Sequence, residues 1–327
     1  MMKPLPFAGK TCLALSGGVG GAKLASGLAA ILPPEELAIV CNTGDDFEHL
    51  GLLICPDLDT VMYTLSGRSN AAQGWGLADE SWRVIGALGE LGGDTWFRLG
   101  DLDIATHLYR QNRRREGATL TAITDELCAA YGVRHPVWPM SDQAVRTKVS
   151  IPDGPLKGEL AFQHYFVREH CEPPVSGFRF EGIESAAPQP RMMELLAGGR
   201  LGAVIICPSN PFVSVDPIIR LRGLREQLKA AQVPVIAVSP IVGGRAIKGP
   251  AAKMMAELGM PVTAAAVAAY YGDLLDGFVI DHADAADAPA IASLGAKVRV
   301  THTVMSGMPA RIALARDVLQ FAAELAG

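Results

Sequence analysis

The chain has 327 residues, of which 49% are hydrophobic and 19% charged, and its formal net charge is −5. This composition provides a sizeable core and excludes a globally disordered chain. Because the sequence has no large cluster of lysines and arginines, we expect no nucleic-acid partner, and an anionic ligand would be held by local donors.

The first 60 residues show the pattern of a strand, a helix and a second strand. Residues 11–15 predict a buried strand, residues 22–32 a helix that ends before Pro33, and residues 37–41 a second apolar strand. Two strands joined by a helix are usually parallel, so this unit predicts a parallel sheet.

A glycine-rich turn joins the first predicted strand to the first helix. Glycines let backbone N–H groups approach a phosphate, and the positive end of the next helix points to the same place. Two standard motifs fail, because the dinucleotide pattern requires glycine or alanine at Lys23 and a P-loop requires serine or threonine at Leu24. We predict a phosphate site of another kind; the alternative is a turn that only packs helix on strand. Its candidate residues are Ser16, Gly17, Gly18, Gly20 and Lys23.

Acidic residues follow the second predicted strand and begin the next predicted helix. Asp45 and Asp46 stand in the turn after the strand, and Asp57 and Asp59 follow shortly afterwards. Adjacent carboxylates near a phosphate site suit Mg²⁺, which takes one or two carboxylates together with phosphate oxygens. Each acid alone could be a solvated or helix-capping residue, but four exceed what capping needs. The residues alone do not decide which acids contact the metal.

The middle of the chain changes character. Residues 57–66, 78–92 and 101–134 have the apolar spacing of helices, whereas residues 146–185 contain short alternating runs typical of strands. Within this part, His107 is more typical of a satisfied helix histidine than of a catalyst.

The pattern of a parallel sheet returns near residue 200. The predicted strands are 203–207, 233–238, 277–280 and 297–301, and the predicted helices are 218–231, 250–258 and 310–325. Ser209 and Asn210 follow the first of these strands, and a second polar loop, residues 239–244, follows the next. Because the carboxyl ends of parallel strands share one edge, these loops predict a shared nucleotide site. Either loop alone could be a connecting loop with no role in binding.

These elements predict an α/β fold. We expect a Rossmann-like, doubly wound, mainly parallel sheet with an inserted, mostly helical substructure. The core is assigned to residues 1–100 and 200–327. The insert is assigned to residues 101–199 and would contribute to the substrate site.

The six cysteines include no Cys-x-x-Cys pair, and several lie in apolar runs. We interpret them as reduced, buried residues, not as disulfide or zinc ligands. The N-terminal apolar run is too short for a signal peptide, and we find no apolar run long enough to span a bilayer. We therefore expect a cytoplasmic protein with no membrane partner.

Taken together and in this order, these stretches resemble the 2-phospho-L-lactate transferase family of coenzyme F-420 biosynthesis. The likeness runs from about residue 11 to 320. The acidic turn, the Pro-Asp-Leu-Asp-Thr run that follows it and the later Ser-Asn-Pro loop are the most specific part. The matching segments are residues 16–23, 42–46, 56–63, 74–76, 99–107, 139–142, 208–211 and 239–244.

The resemblance implies a Mg²⁺-dependent enzyme that forms a homodimer. Its donor would join guanosine through a diphosphate to a three-carbon acid. The ribityl hydroxyl of the deazaflavin Fo would attack the distal phosphorus, and GMP would leave. The acid is lactate in archaeal members and another three-carbon acid in some bacterial ones, and the sequence does not name it.

The resemblance also implies roles for individual residues. Asp59 and Arg98 match positions that bind Fo, and Asp45 and Asp46 match the acidic turn near the metal, with Asp45 and Asp59 as the catalytic candidates. At Leu102 the sequence departs from an arginine that we expect in the family. The positions on the guanosine phosphate side are Ser16, Gly17, Gly18, Gly20, Lys23, Ser209 and Asn210.

Two rival functions fit parts of the pattern. A related family of sugar-nucleotide-binding regulators, which are not enzymes, shares the glycine turn and an acidic pair. Residues 56–60 and 98–103 favour the transferase instead. An NAD-dependent oxidoreductase would fit the fold class but not the lysine at position 23.

Overall fold

The computed structural model describes residue 7, residues 9–70 and residues 72–327. Its strands are short, and half of them belong to one central sheet. In chain order they are β1 (Thr11–Ser16), β2 (Leu37–Cys41), β3 (Phe47–His49), β4 (Leu52–Ile54), β5 (Val137–Pro139), β6 (Arg146–Ile151), β7 (Gly158–Ala161), β8 (Gly177–Glu181), β9 (Leu201–Ile206), β10 (Val235–Val238), β11 (Ile241–Val242), β12 (Arg245–Ala246), β13 (Gly277–Asp281) and β14 (Lys297–Thr301).

The α-helices alternate with the strands over much of the chain. They are α1 (Gly18–Ala29), α2 (Pro56–Leu65), α3 (Arg83–Glu90), α4 (Asp101–Arg115), α5 (Leu120–Ala130), α6 (Pro190–Ala197), α7 (Asp216–Ile219), α8 (Leu224–Ala230), α9 (Ala251–Glu257), α10 (Ala264–Tyr271), α11 (Ala288–Ser293) and α12 (Met308–Ala326). No helix of the described residues is long and apolar enough to cross a bilayer.

The central sheet has seven strands in the order β14-β13-β10-β9-β1-β2-β5. Every neighbouring pair is parallel. The chain winds from β1 through β2 to β5, then crosses back to β9 and continues outward in the other direction. The strand order therefore reverses between β1 and β9, which confirms the predicted doubly wound sheet.

Helices cover both faces of this sheet and enclose a hydrophobic core on each side. Along β1, Cys12 and Ala14 face one core and Leu13 and Leu15 the other, as the two-residue period of a strand requires. All six residues of β1 are buried. A strand that is covered on both faces needs apolar residues at nearly every position, so it reads as a continuous apolar run.

The segment assigned to the insert is composite. Helices α4, α5 and α6 make up most of its regular structure, and β6 pairs antiparallel with both β7 and β8. Strand β5 pairs with β2 and is thus an edge strand of the central sheet. Residues 101–199 therefore supply one strand to the core, while the division into core and insert stays a prediction.

Some predicted elements differ in their limits. The helix predicted at residues 218–231 is two helices, α7 and α8, because Gly223 between them adopts a left-handed φ of 73°. The helix predicted at residues 78–92 begins only at Arg83. The hairpin of β3 and β4 and the helix α10 were not predicted.

Candidate active site

The candidate site lies where the strand order reverses. Ser16 ends β1, while Asn42 and Ser209 stand just beyond the carboxyl ends of β2 and β9. The backbone N–H of Asn42 donates to the Ser16 carbonyl at 3.0 Å, so the three segments leave the sheet side by side. Doubly wound sheets bind ligands in the crevice at this position.

The glycine turn between β1 and α1 is held by side chains from two other segments. Gly18 adopts a left-handed φ of 62°, and its N–H donates to Asp57 Oδ1 at 2.7 Å. The N–H of Gly17 donates to Ser209 Oγ at 3.2 Å, and that hydroxyl donates to the Gly17 carbonyl at 2.7 Å. These two N–H groups were candidates for phosphate binding, but side chains of the protein accept hydrogen bonds from both. The other N–H groups in the first turn of α1 are left for a ligand.

Close packing explains the next glycines of the turn. A Cβ at Gly20 would collide with the Pro208 carbonyl, and a Cβ at Gly21 would collide with the hydroxyls of Ser16 and Ser209. The turn therefore also packs α1 against the β9 loop, as the alternative interpretation expected.

Asp45 and Asp57 form the acidic centre of the site. Both are buried. Asp57 accepts from Gly18 and, through Oδ2, from Asn42 Nδ2 at 2.9 Å. Burial raises the pKa of Asp57 to about 6. Burial and then the charge of Asp57 raise the pKa of Asp45 well above its usual value, so these two carboxylates share one environment.

Asp46 lies in the same turn and is also buried. Burial raises its pKa to about 7, although the positive charge of Arg146 opposes the rise. Asp45 Oδ1 and Asp46 Oδ1 have no hydrogen-bond partner. Buried carboxylates with free oxygens and raised pKa values fit a hard cation such as Mg²⁺. Asp57 joins the predicted pair as a third possible ligand.

Asp59 has a different environment, in which Arg110 is its main partner. Arg110 is 2% exposed and donates to both carboxylate oxygens of Asp59, from Nη1 at 3.2 Å and from Nη2 at closer range. His107 Nδ1 lies 2.9 Å from Arg110 Nη1, and His107 Nε2 lies 3.3 Å from Asp103 Oδ1. The Tyr63 hydroxyl donates to the same Asp103 oxygen at 2.6 Å.

Helix α4 supplies one side of this network. Asp103, His107 and Arg110 follow one another at spacings of four and three residues, which places them on one helix face. Arg110 was not predicted from the sequence, although this spacing on one helix face is a signal for it. Ligand atoms of Asp59, Asp103 and His107 lie within 4.8 Å of one another, but Arg110 already neutralises Asp59. His107 thus contacts Arg110 and Asp103 within this network, and its interpretation as an ordinary helix histidine stays a prediction.

The two predicted acceptor residues have different partners. Arg98 is exposed, and its guanidinium lies 4.5 Å from the centre of the Trp82 ring. Asp59, by contrast, is buried beside Arg110. Leu102 is 49% exposed on α4, and its N–H donates to Glu80 Oε2 at 2.8 Å.

The loop after β9 is held by its own side chain, and the loop after β10 is held by a residue that follows β13. Asn210 Oδ1 accepts from Phe212 N at 3.0 Å and caps the π-helical turn Pro211–Val215. In the next loop, Gly243 N donates to both carboxylate oxygens of Asp284 at 3.0 Å. Of the predicted pair, Ser209 contacts the glycine turn, whereas the Asn210 amide oxygen serves the local backbone.

Known proteins resemble this chain over most of its length. The family model for 2-phospho-L-lactate transferase CofD matches residues 12–304. A "Phosphoenolpyruvate transferase" from Kitasatospora aureofaciens is 40% identical over 316 residues, which cover 96% of this chain and 98% of the relative. A "2-phospho-L-lactate transferase" from Methanosarcina acetivorans is 41% identical over 292 residues, which cover 89% and 92%.

A solved structure supports the fold. A crystal structure of a member of the UPF0052 family from Bacillus halodurans has a TM-score of 0.63 at 14% sequence identity. The match covers 94% of this chain and 99% of that one.

Proposed function

This chain belongs to the 2-phospho-L-lactate transferase family, and from that premise we propose its reaction. It transfers a three-carbon phospho-acid group from a guanosine diphosphate-linked donor to the ribityl hydroxyl of Fo and releases GMP, a step of coenzyme F-420 biosynthesis. The observation that carries the proposal is the contact between the glycine turn and the buried acid Asp57, which adjoins Asp45. The non-enzymatic regulator is not favoured, because the matching family model and the relatives named above are transferases.

The nucleotide side of the donor is assigned to the first turn of α1, Lys23 and the Ser209 loop. The N-terminus of α1 carries a partial positive charge and free N–H groups. These fixed donors would bind the diphosphate without the cost of reorganisation during the reaction. Asn210 stays in this assignment as a prediction, because its amide oxygen accepts from Phe212 and its amide nitrogen donates to the Met254 sulfur at 3.3 Å.

Mg²⁺ would be held by Asp45 together with Asp46 or Asp57. When bound, it would neutralise charge on the diphosphate oxygens and on the departing GMP. The side chains themselves supply a buried, preorganised anionic pocket: Asn42 and Gly18 fix Asp57, and Asp57 in turn faces Asp45.

On the acceptor side, Asp59 would position the attacking hydroxyl of Fo. Its bidentate contact with Arg110 fixes the orientation of the carboxylate. Transfer through a loose transition state needs alignment more than a strong base, so Asp59 acts first as a positioning group. Because Arg98 stacks over Trp82 and is not a hydrogen-bond partner of Asp59 in the described residues, it would contact a different part of Fo.

The remaining question is which three-carbon acid the donor carries. The relatives named "Phosphoenolpyruvate transferase" and "2-phospho-L-lactate transferase" have nearly the same sequence identity to this chain, 40% and 41%. The two tails differ by little more than an unsaturation, and an apolar pocket separates such groups by about 1–3 kcal/mol. We therefore propose measurable but incomplete selectivity, with more than one donor accepted.

The test is an incubation of the purified protein with Fo, Mg²⁺ and the lactyl, enolpyruvyl or glyceryl donor, followed by mass spectrometry. The expected product is Fo plus one phospho-acid group, with one GMP released per product. Absence of product and of GMP with all three donors would refute the proposal. A kcat/KM ratio above about 10⁵ between the best two donors would refute the incomplete selectivity. Light scattering on the same sample tests the proposed homodimer.

A further inference from the structure

Three cations lie near α1, the helix that follows the glycine turn, and two of them were not part of the predicted site. Lys23 is on α1, Arg311 is on α12, and Lys248 is in the loop after β12. Arg311 Nη1 donates to Ser26 Oγ at 3.1 Å. Because Ser26 stands one helical turn after Lys23, Arg311 reaches the face of α1 that carries Lys23.

The backbones behind these side chains are closely packed. A Cβ at Gly27 of α1 would collide with the Arg311 carbonyl, so α12 is fixed against α1 at this point. Lys248 Nζ lies against Gly74, where a Cβ would collide with it. Gly74 has a left-handed φ of 77°, and glycine permits both this conformation and the approach of the ammonium. The packing of α12 on α1 thus fixes the backbone of Arg311, and Gly74 leaves room for the ammonium of the exposed Lys248.

None of the three cations is paired with a carboxylate in the described residues. Burial lowers the pKa of Lys23, and the positive charges of Lys248 and Arg311 lower it further, so both of these charges act on Lys23. Burial also lowers the pKa of Arg311, and its Nε is buried without a hydrogen-bond partner. Mutual repulsion without a counter-charge is unfavourable, and an anion bound among these groups would relieve it.

Other cations of the chain make a useful contrast. Arg113 pairs with Glu116 and Glu126, and Lys229 pairs with Asp273. Other cations of the described residues lack such a partner too, so the absence of a carboxylate does not by itself mark a site. Lys23, Lys248 and Arg311 differ in that they gather near one helix, α1, which begins at the turn between the carboxyl ends of β1 and β9.

We propose that Lys23, Lys248 and Arg311 form one anion-binding subsite, which takes the phosphate groups of the nucleotide-linked donor. Lys248 and Arg311 are then further donor-binding residues. The identity of the donor rests on the proposed function, whereas binding of a multivalent phosphate to these cations does not. Charge-assisted contacts to phosphate oxygens are the chemistry that all three side chains share.

The experiment is isothermal titration calorimetry with GDP and with inorganic pyrophosphate, in the absence of Fo. Lys248→Gln and Arg311→Gln should each weaken both ligands about tenfold or more, the scale of one charge-assisted hydrogen bond. The salt dependence of GDP binding should also become shallower. The control is Lys297→Gln, which removes the same charge from an exposed residue at the amino end of β14, an edge strand of the sheet. It should bind both ligands like the wild type.

The outcomes separate the subsite from the transferase reaction. Affinities of Lys248→Gln for GDP and pyrophosphate within twofold of the wild type would overturn the subsite. If no donor gives product but both variants lose affinity, the subsite stands and the proposed function fails. Arg311 contacts α1, so its variant is checked by thermal unfolding. If that variant unfolds, the exposed Lys248 decides the result.

Discussion

The aspartates of the site fall into two groups, according to what surrounds their carboxylates. Asp45, Asp46 and Asp57 are buried with raised pKa values, and the first two have an oxygen without a partner. Asp59 and Asp103 are instead satisfied by neighbours. Although burial raises the pKa of Asp103, hydrogen bonds from His107 and Tyr63 hold it below its usual value. The first group suits a cation, and the second suits fixed positioning.

Replacing Asp45 tests the first group. Asp45→Asn should lower turnover by roughly two to four orders of magnitude, because it removes charge that would hold the metal at the transferring group. The measurement is the initial rate of GMP release as a function of Mg²⁺ concentration. Asp153→Asn, an exposed site between β6 and β7, is the control. Full activity in EDTA, or wild-type rates for Asp45→Asn, would contradict the metal assignment.

Replacing Arg110 tests the second group. Arg110→Met leaves the Asp59 carboxylate buried without its counter-ion, and breaking such a pair costs about 3–5 kcal/mol. The free energy of unfolding in urea is the measurement. Adding Asp59→Asn should restore part of the loss, because the unpaired charge is gone. Arg113→Met, on the surface of the same helix, should cost much less. A double variant no more stable than Arg110→Met would show that the pair is not coupled.

At the scale of elements, the central feature is how α1 approaches the loop after β9. The helix begins at Gly18, directly beyond β1, and its first turn lies against Pro208 and Ser209. Glycines let the two backbones come close, and the cradle of N–H groups depends on that distance. Packing and ligand binding are therefore two consequences of one arrangement.

A methyl group at position 20 should disturb both the packing of α1 and the binding of the ligand. Gly20→Ala places a Cβ against the Pro208 carbonyl, and overpacking of this kind costs about 1–3 kcal/mol. We expect a fall in GDP affinity together with a lower unfolding temperature, measured by calorimetry and by thermal unfolding. Gly86→Ala is the control, because its Cβ meets open space on α3 and should stabilise the helix by about 0.5–1 kcal/mol. Unchanged GDP affinity in Gly20→Ala would remove the glycine turn from the nucleotide site.

For the whole molecule, the buried acids make stability depend on pH and on metal. Each carboxyl binds its proton more tightly in the folded chain than in the unfolded chain, where the pKa is about 4. The corresponding stability is complete below about pH 4. It is lost as the pH rises through about 6 for Asp57 and about 7 for Asp46.

The metal-free protein should therefore unfold at a lower temperature at pH 7.5 than at pH 5.5. Mg²⁺ binds the ionised carboxylates of the folded state and stabilises it by mass action. Its effect on the unfolding temperature should thus be larger at pH 7.5. Differential scanning calorimetry at both pH values is the measurement, and Asp46→Asn should show a flatter dependence on pH. An equal shift by Mg²⁺ at both values would contradict the assignment.

Patterns that are local in the chain were predictable from the sequence. The continuous apolar run of β1 indicated a strand covered on both faces, and the glycine turn followed by a helix indicated the parallel unit. The acids after β2 could be placed at the ligand edge, because parallel strands end on one side of a sheet. The specific order of motifs indicated the family, which the comparisons confirm.

The tertiary structure alone decided which side chains meet. Asp57 could have capped its own helix, but it accepts from Gly18, 39 residues away, because α2 packs beside α1. Arg110 neutralises Asp59 across 51 residues, and Arg311 reaches Ser26 across 285. Local spacing sets each helix and strand through backbone geometry. Contacts between distant residues instead depend on strand order and helix packing, which a period of two or of 3.6 residues does not encode.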